Sequence, residues 1–104
     1  MRQLDVFANP KPGSADAFPY LVILQSDDLP RTSSVIVAPL VAADPTRAHS
    51  RLYPLFTIEG RPLVLAVTDL ASVPRNRLNG PAITSLMPER HRIIAALDYL
   101  FTGI

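Results

Sequence analysis

The amino-acid sequence predicts a mainly β protein of the α+β class, in which antiparallel strands are followed by one C-terminal helix. All 11 prolines fall within the first 88 residues. Proline fixes φ and removes a backbone donor, so long helices are confined there. Runs rich in Val, Ile, Leu and Phe lie between the prolines and favour strands. Residues 89–104 contain no proline, which leaves the C-terminus as the place for a substantial helix.

Length and composition narrow the class of protein. The chain has 104 residues, 48% of them hydrophobic, and we expect residues 1–104 to form a single domain with its own core. Because there is no cysteine, disulfides, thiol nucleophiles and sulfur-ligated zinc sites are excluded. No apolar run approaches the ~20 residues of a membrane span. The N-terminal residues lack the pattern of a signal peptide, so we expect a cytoplasmic protein.

The predicted strands are five short apolar runs separated by turn residues. In chain order they cover residues 4–8, 20–25, 34–40, 52–58 and 62–68. Glu59 and Gly60 separate the last two runs, and glycine supplies the positive φ of a tight turn, so we expect those strands to pair. Residues 21–24 and 63–67 are apolar without interruption. Such strands have two apolar faces, and we expect a helix or a partner subunit to cover the second face.

The C-terminal helix is predicted from its start, its periodicity and its end. Pro88 suits a first helical position, and Gly103 suits the residue that ends a helix. Ile93, Leu97 and Phe101 recur at i, i+4 and i+8 and form an apolar stripe. Together with the two-faced strands, this stripe predicts a homodimer. The dimer interface is expected to contain Ile93, Leu97, Leu100 and Phe101.

No residue pattern predicts a catalytic or metal site. The sequence contains no G-x-S-x-G, and His49 and His91 lack the spacing and the neighbouring carboxylates of a metal-ligand pair. Asp27 and Asp28 are adjacent, so on a strand they would point to opposite faces, and a turn role is favoured over a catalytic dyad. We therefore expect a protein that is not an enzyme and that uses no metal or cofactor.

Four arginines in the last third of the chain are the candidates for binding nucleic acid: Arg75, Arg77, Arg90 and Arg92. Guanidinium groups bind phosphates through paired hydrogen bonds. No aromatic residue is interleaved with them to stack on bases, and a net charge of +1 creates no strong general field. A solvated surface is therefore the favoured interpretation of these residues.

Several segments resemble the CcdB family of bacterial toxins, in the family's order over nearly the whole chain. They are QSD at 25–27, VIVAPL at 35–40, SRLYP at 50–54, TDLASVP at 68–74 and LFTGI at 100–104. The resemblance implies an SH3-like barrel of the CcdB/MazF type, made of antiparallel strands with the C-terminal helix packed at the edge of the sheet. It also implies a homodimer that poisons DNA gyrase, a type II topoisomerase, by binding between the gyrase A subunits. A CcdA-like antitoxin would neutralise this toxin.

The resemblance places the gyrase-binding surface at the end of the helix and in the loop that follows residue 27. It implies that this surface contains Asp28, Leu29, Asp98, Phe101, Thr102, Gly103 and Ile104. Thr102 stands where the family has Trp, Asp98 where it has a neutral Asn, and Asp28 where it has an apolar residue. Tryptophan is a frequent interface hot spot, and a desolvated carboxylate is costly. We therefore expect gyrase poisoning to be weakened or lost.

Two other functions stay open from the sequence. One is a MazF-like endoribonuclease, because MazF toxins share this fold, although no acid/base pair can be assigned. The other is a non-toxic module that binds the antitoxin and serves in transcription repression of the operon. As a gyrase-directed toxin, the chain is expected to meet DNA only indirectly, through the antitoxin or the gyrase complex, and to have no membrane partner.

Overall fold

The strands join in one antiparallel sheet that curls into a nearly closed barrel, with one helix at the C-terminus. The computed structural model describes residues 1–11 and 13–104; Pro12, one of the predicted chain breakers, lies outside the described residues. The elements are β1 (Asp5–Ala8), β2 (Tyr20–Ile23), β3 (Ser34–Val41), β4 (Leu55–Ile58), β5 (Arg61–Leu65), β6 (Ala71–Pro74), β7 (Thr84–Ser85) and α1 (Arg90–Thr102). The predicted fold class is confirmed.

Strand β3 is the centre of the sheet. One edge of β3 pairs with β2, where Leu21 lies opposite Pro39. The other edge is shared, because its first half pairs with β6 and its second half with β5. On the far side of β2 the order continues through β1 to β7, while β4 lies outside β5. Strand β3 therefore has three partner strands and connects the β4–β5 hairpin and β6 to the rest of the sheet.

The predicted hairpin between the fourth and fifth strands is confirmed. Ile58 lies opposite Arg61 across a two-residue turn, and both turn residues have positive φ, 50° at Glu59 and 80° at Gly60. Positive φ at both central positions defines a turn whose twist matches that of the flanking strands. The phenol of Tyr20 donates a hydrogen bond to Glu59 Oε1 at 2.5 Å, so β2 holds the turn in place.

Apolar residues cover both faces of the sheet. One cluster contains Val22 and Leu40 and includes Ile93 and Ala96 of α1. A second cluster, on the opposite face, contains Leu21 and Leu78, with Val73 and Ala82 packed against it. A third, smaller cluster contains Val64 and is covered by residues of the same chain. A helix therefore covers one face, as one of the two expected alternatives, and residues of the same chain cover the opposite face, so no partner subunit is needed for burial. The two-faced strands give no argument for a dimer.

The helix begins and ends near the predicted residues. Pro88 lies in a short 3-10 helix, Met87–Glu89, that leads into α1. Gly103 ends α1 in the left-handed conformation, with a φ of 74°. Arg92 fastens the helix to the barrel by donating to the carbonyl oxygen of Leu55 at 2.6 Å. Among the described residues, no helix has both the length and the apolar character that crossing a membrane requires.

Candidate partner-binding surface at the helix end

The end of α1 presents two large apolar side chains to solvent. We call residues 98–104 the helix end. Phe101 is 69% exposed and Ile104 is 77% exposed. The Gly103 N–H donates to the Tyr99 carbonyl at 3.0 Å, and this left-handed cap turns the chain away from the helix axis. Contiguous exposed apolar surface is typical of sites that bind another molecule, so the helix end is the candidate site.

Thr102 lies between these apolar residues but contributes little apolar area. Its hydroxyl donates to the carbonyl oxygen of Asp98 at 2.6 Å and accepts the N–H of Ile104 at 3.3 Å. Threonine hydroxyls commonly bond to the carbonyl four residues earlier in a helix. The side chain is thereby fixed against its own helix, and the hydroxyl is satisfied within the chain.

The carboxylate of Asp98 adds a charge to the helix end. Asp98 is exposed, and in the described part of the chain the side-chain ion pairs are Arg47 with Asp69 and Arg92 with Glu89. Among those residues, Asp98 therefore has no cation partner. A partner that covers this carboxylate has to supply a donor or leave a desolvated charge, which is costly.

The helix end includes a cation–aromatic contact that was not predicted from the sequence. The guanidinium carbon of Arg51 lies 5.0 Å from the centre of the Tyr99 ring, and both residues are exposed. Such a contact holds an arginine over a ring face. The sequence indicated the segment that carries Arg51 only through the family resemblance. A contact between a loop and a distant helix cannot be predicted from the spacing of residues.

The second predicted part of the surface, Asp28 and Leu29, forms a separate patch. Their backbone N–H groups donate to Ser26, at 3.1 Å to its hydroxyl and 3.4 Å to its carbonyl. Leu29 is 55% exposed. Among the described residues, no hydrogen bond or ion pair joins this turn to the helix end. Asp27 and Asp28 thus have the turn role that the sequence favoured.

The four residues predicted for the dimer interface have different environments. Ile93 is fully buried in the core of its own chain, and Leu97 and Leu100 are partly buried against the same cluster. Phe101 alone among these four is exposed. The apolar stripe of the helix is therefore mainly the face by which α1 packs on its own barrel. In this chain, Ile93 offers no surface to a partner.

The four arginines considered for nucleic acid do not share one groove. The guanidinium of Arg92 is held at β4 and lies 4.5 Å from the centre of the Phe56 ring. Arg75 Nε donates to the carbonyl of Thr32 at 2.9 Å, whereas Arg77 and Arg90 are exposed. Across the described ranges, no group of three His, Asp or Glu residues is placed to hold a metal ion.

The fold and the sequence together assign the chain to a family. An antiparallel barrel with one C-terminal helix defines the structural class. The family described as CcdB protein matches residues 3–103, nearly the whole chain. The chain belongs to the CcdB family, whose members are toxins of toxin–antitoxin systems. No curated protein sequence matches it.

Proposed function

We propose that this chain is the toxin of a type II toxin–antitoxin system and that it acts as a cytoplasmic homodimer on DNA gyrase. It binds the A subunits of gyrase, and a CcdA-like antitoxin neutralises it. It acts by binding, with no reaction of its own and no cofactor, and it meets DNA only through gyrase or the antitoxin. Membership of the CcdB family supports the toxin role; the rest of the proposal depends on the helix end.

The observation that carries this proposal is the exposure of Phe101 and Ile104 at the helix end. Fully burying a side chain of this size releases about 1.5–3 kcal/mol relative to leaving it in water. Two such residues beside a glycine in a fixed conformation form a small, shaped apolar surface. The proposed contact consists of this surface together with Leu29, which is the other exposed apolar residue of the predicted set.

The same geometry limits how tightly this surface can bind gyrase. Thr102 bonds to its own helix, and the carboxylates of Asp98 and Asp28 are exposed beside the apolar residues. An interface hot spot commonly contributes 2 kcal/mol or more, and none is available at position 102. We propose that gyrase is bound weakly and that few cleaved-DNA complexes are trapped.

A second function follows from the same hydrogen bond between Thr102 and Asp98. If the helix end cannot engage gyrase, the chain acts as a module that binds the antitoxin and supports repression of the operon. This candidate is favoured by the two carboxylates and by the small side chain at position 102. It differs from the first in a measurable way, because it needs antitoxin affinity but no gyrase affinity.

Binding of the purified chain to the isolated A subunit of gyrase tests the first function. We expect saturable binding that Phe101→Ala weakens about tenfold, the equivalent of about 1.4 kcal/mol. Ile83→Ala is the matched control, because Ile83 is exposed and is bonded to β1 through its backbone N–H. Absence of binding by the natural chain, together with binding to the antitoxin, would instead favour the second function.

A further inference from the structure

A basic cleft lies away from the helix end, between the β2–β3 loop and the end of β6. Its volume is about 370 Å³, and its charged lining residues are Arg2, Arg31, Arg75 and Asp27. Apolar wall is supplied by Leu29 and Val35. Three arginines against one aspartate leave an excess of positive charge in a chain whose net charge is only +1.

These three arginines are not neutralised by carboxylates of the described residues. Among those residues, the arginines in ion pairs are Arg47 and Arg92. The Asp27 carboxylate accepts the backbone N–H of Gln3 at 2.9 Å and forms no ion pair with a cleft arginine. An anion that enters the cleft therefore meets guanidinium groups with free donors and displaces no internal carboxylate.

Hydrogen bonds fix the wall that carries Arg75. Its Nε donates to the carbonyl of Thr32 at 2.9 Å, and its backbone N–H donates to the carbonyl of Ser33 at 2.8 Å. The Gln25 amide in turn donates to the Thr32 hydroxyl at 2.9 Å. The guanidinium is thus held in a preset position, which reduces the entropy that a ligand must offset when it binds.

Arg31 and Arg75 also line a second depression of about 570 Å³. Its remaining lining includes Thr32, Ser33 and Ser34. The Thr32 hydroxyl donates to the Ser34 carbonyl, so the serine hydroxyls are the ones that can donate to a ligand. Such donors beside two guanidinium groups suit a phosphate, whose several oxygens accept from both kinds of donor. The cleft and the depression fall in the size range of small-molecule sites, roughly 300–1,000 Å³.

We propose that Arg31 and Arg75 bind the phosphate group of a nucleotide-sized ligand, with Arg2 adding charge in the cleft. The guanidinium groups pair with the phosphate oxygens, and the rest of the ligand lies in the cleft against Leu29 and Val35. This site shares Leu29 with the proposed gyrase contact but uses neither Phe101 nor Ile104, so binding of the ligand can be measured without gyrase. The proposed toxin function does not involve a ligand of this kind.

Calorimetric titration of the purified chain without gyrase tests this site, with adenosine monophosphate as the probe. We expect saturable binding that inorganic phosphate competes away, and no binding of adenosine, which lacks the phosphate. Arg31→Gln should weaken binding about tenfold, since a hydrogen bond to a charged group contributes on this scale. Arg90→Gln should leave it unchanged, because Arg90 is exposed on α1 and borders neither space.

Arg31→Gln is the decisive variant because no side-chain hydrogen bond of Arg31 within the described residues is lost. Arg75→Gln also removes the bond to Thr32, so its melting temperature is measured alongside its affinity. Equal affinity in the natural chain and Arg31→Gln, or no binding at low ionic strength, would overturn the proposal. Much tighter binding of a short DNA than of adenosine monophosphate would overturn the proposal that the ligand is the size of a nucleotide.

Discussion

The hydroxyl of Thr102 donates a hydrogen bond to the carbonyl oxygen of Asp98, 2.6 Å away and one helical turn earlier. Because α1 extends to Thr102, its backbone ladder already pairs this carbonyl with the Thr102 N–H, and the hydroxyl adds a second donor to the same oxygen. The threonine hydroxyl is thereby satisfied within its own helix, and Phe101 and Ile104 are the most exposed apolar residues of the proposed binding surface.

We predict that Tyr20→Phe destabilises the protein by about 1.5 kcal/mol at neutral pH, because the bond from the phenol to the Glu59 carboxylate is lost. That bond, followed by burial, raises the pKa of Tyr20 above its ordinary 10.0. The neutral phenol thus stabilises the fold fully below pH 10.0, and this stabilisation is lost as pH rises from 10.0 through the raised pKa.

Urea unfolding at neutral pH and above pH 10.0 measures both effects. The free energy of unfolding of Tyr20→Phe should fall less at alkaline pH than that of the natural chain. Tyr99→Phe is the control, because Tyr99 is half exposed on α1, and it should match the natural chain at both pH values. A parallel alkaline loss in all three proteins would contradict the assignment to Tyr20.

Arg92→Met should lower the free energy of unfolding by about 2 kcal/mol, because it removes a charge-assisted bond and a cation–π contact. The variant keeps much of the length of the side chain but loses the bond to the Leu55 carbonyl and the charge above Phe56. Arg90→Met, at an exposed position earlier in the same helix, should change stability by less than about 0.5 kcal/mol. Urea unfolding of the two variants checks the difference, and equal effects would count against the anchor.

The features that the sequence predicted correctly are those that depend on neighbouring residues. Helix position and the stop at Gly103 follow from local chemistry, as does the turn at Glu59 and Gly60, so these predictions succeeded. Periodicity also identified the apolar stripe of the helix. It shows which face of the helix is buried, but not whether the same chain or a partner subunit buries it. That is why Ile93 was expected at a dimer interface and is found in the core of its own chain.

Features that depend on distant contacts were not predictable. Strand β6 has largely exposed residues and exists because it pairs with β3, whose residues lie more than thirty positions earlier. Strand β7 has two polar residues, Thr84 and Ser85, and pairs with β1. The cleft joins Arg2, Arg31 and Arg75 in the same way, since only the closed sheet brings these positions together.

Sedimentation at micromolar concentration should give about twice the chain mass of 11.4 kDa, as the proposed homodimer requires. Ile93→Ala should lower stability by about 2–5 kcal/mol through a core cavity, with association unchanged where the fold persists, because Ile93 is buried in its own chain. A persistent monomer at that concentration would contradict the dimer.

The purified protein should neither cleave single-stranded RNA nor bind it tightly at physiological salt, because it has a net charge of +1 and no aromatic residue interleaved with its arginines. Gel analysis of a labelled RNA measures this directly. An RNA ladder that appears with the natural chain and vanishes in Arg75→Ala or Arg77→Ala would make a MazF-like ribonuclease the leading function.

The natural chain should be a weak or silent gyrase poison, and Thr102→Trp should strengthen it. Tryptophan at position 102 adds roughly 200 Å² of surface that can be buried beside Phe101 and Ile104, while the bond to the Asp98 carbonyl is given up. That bond contributes only about 1 kcal/mol to stability, so the variant should still fold. Adding Asp98→Asn removes the unpaired carboxylate and should strengthen poisoning again.

A gyrase cleavage assay compares the natural chain with Thr102→Trp alone and with both changes, and linear DNA should accumulate more with each step. Antitoxin affinity, measured in parallel, should change little if the antitoxin binds other surfaces. Strong cleavage-complex formation by the natural chain would show that threonine suffices at position 102, because Phe101 and Ile104 then supply the contact. No gain in either variant, with antitoxin binding intact, would mean that the target itself is not gyrase.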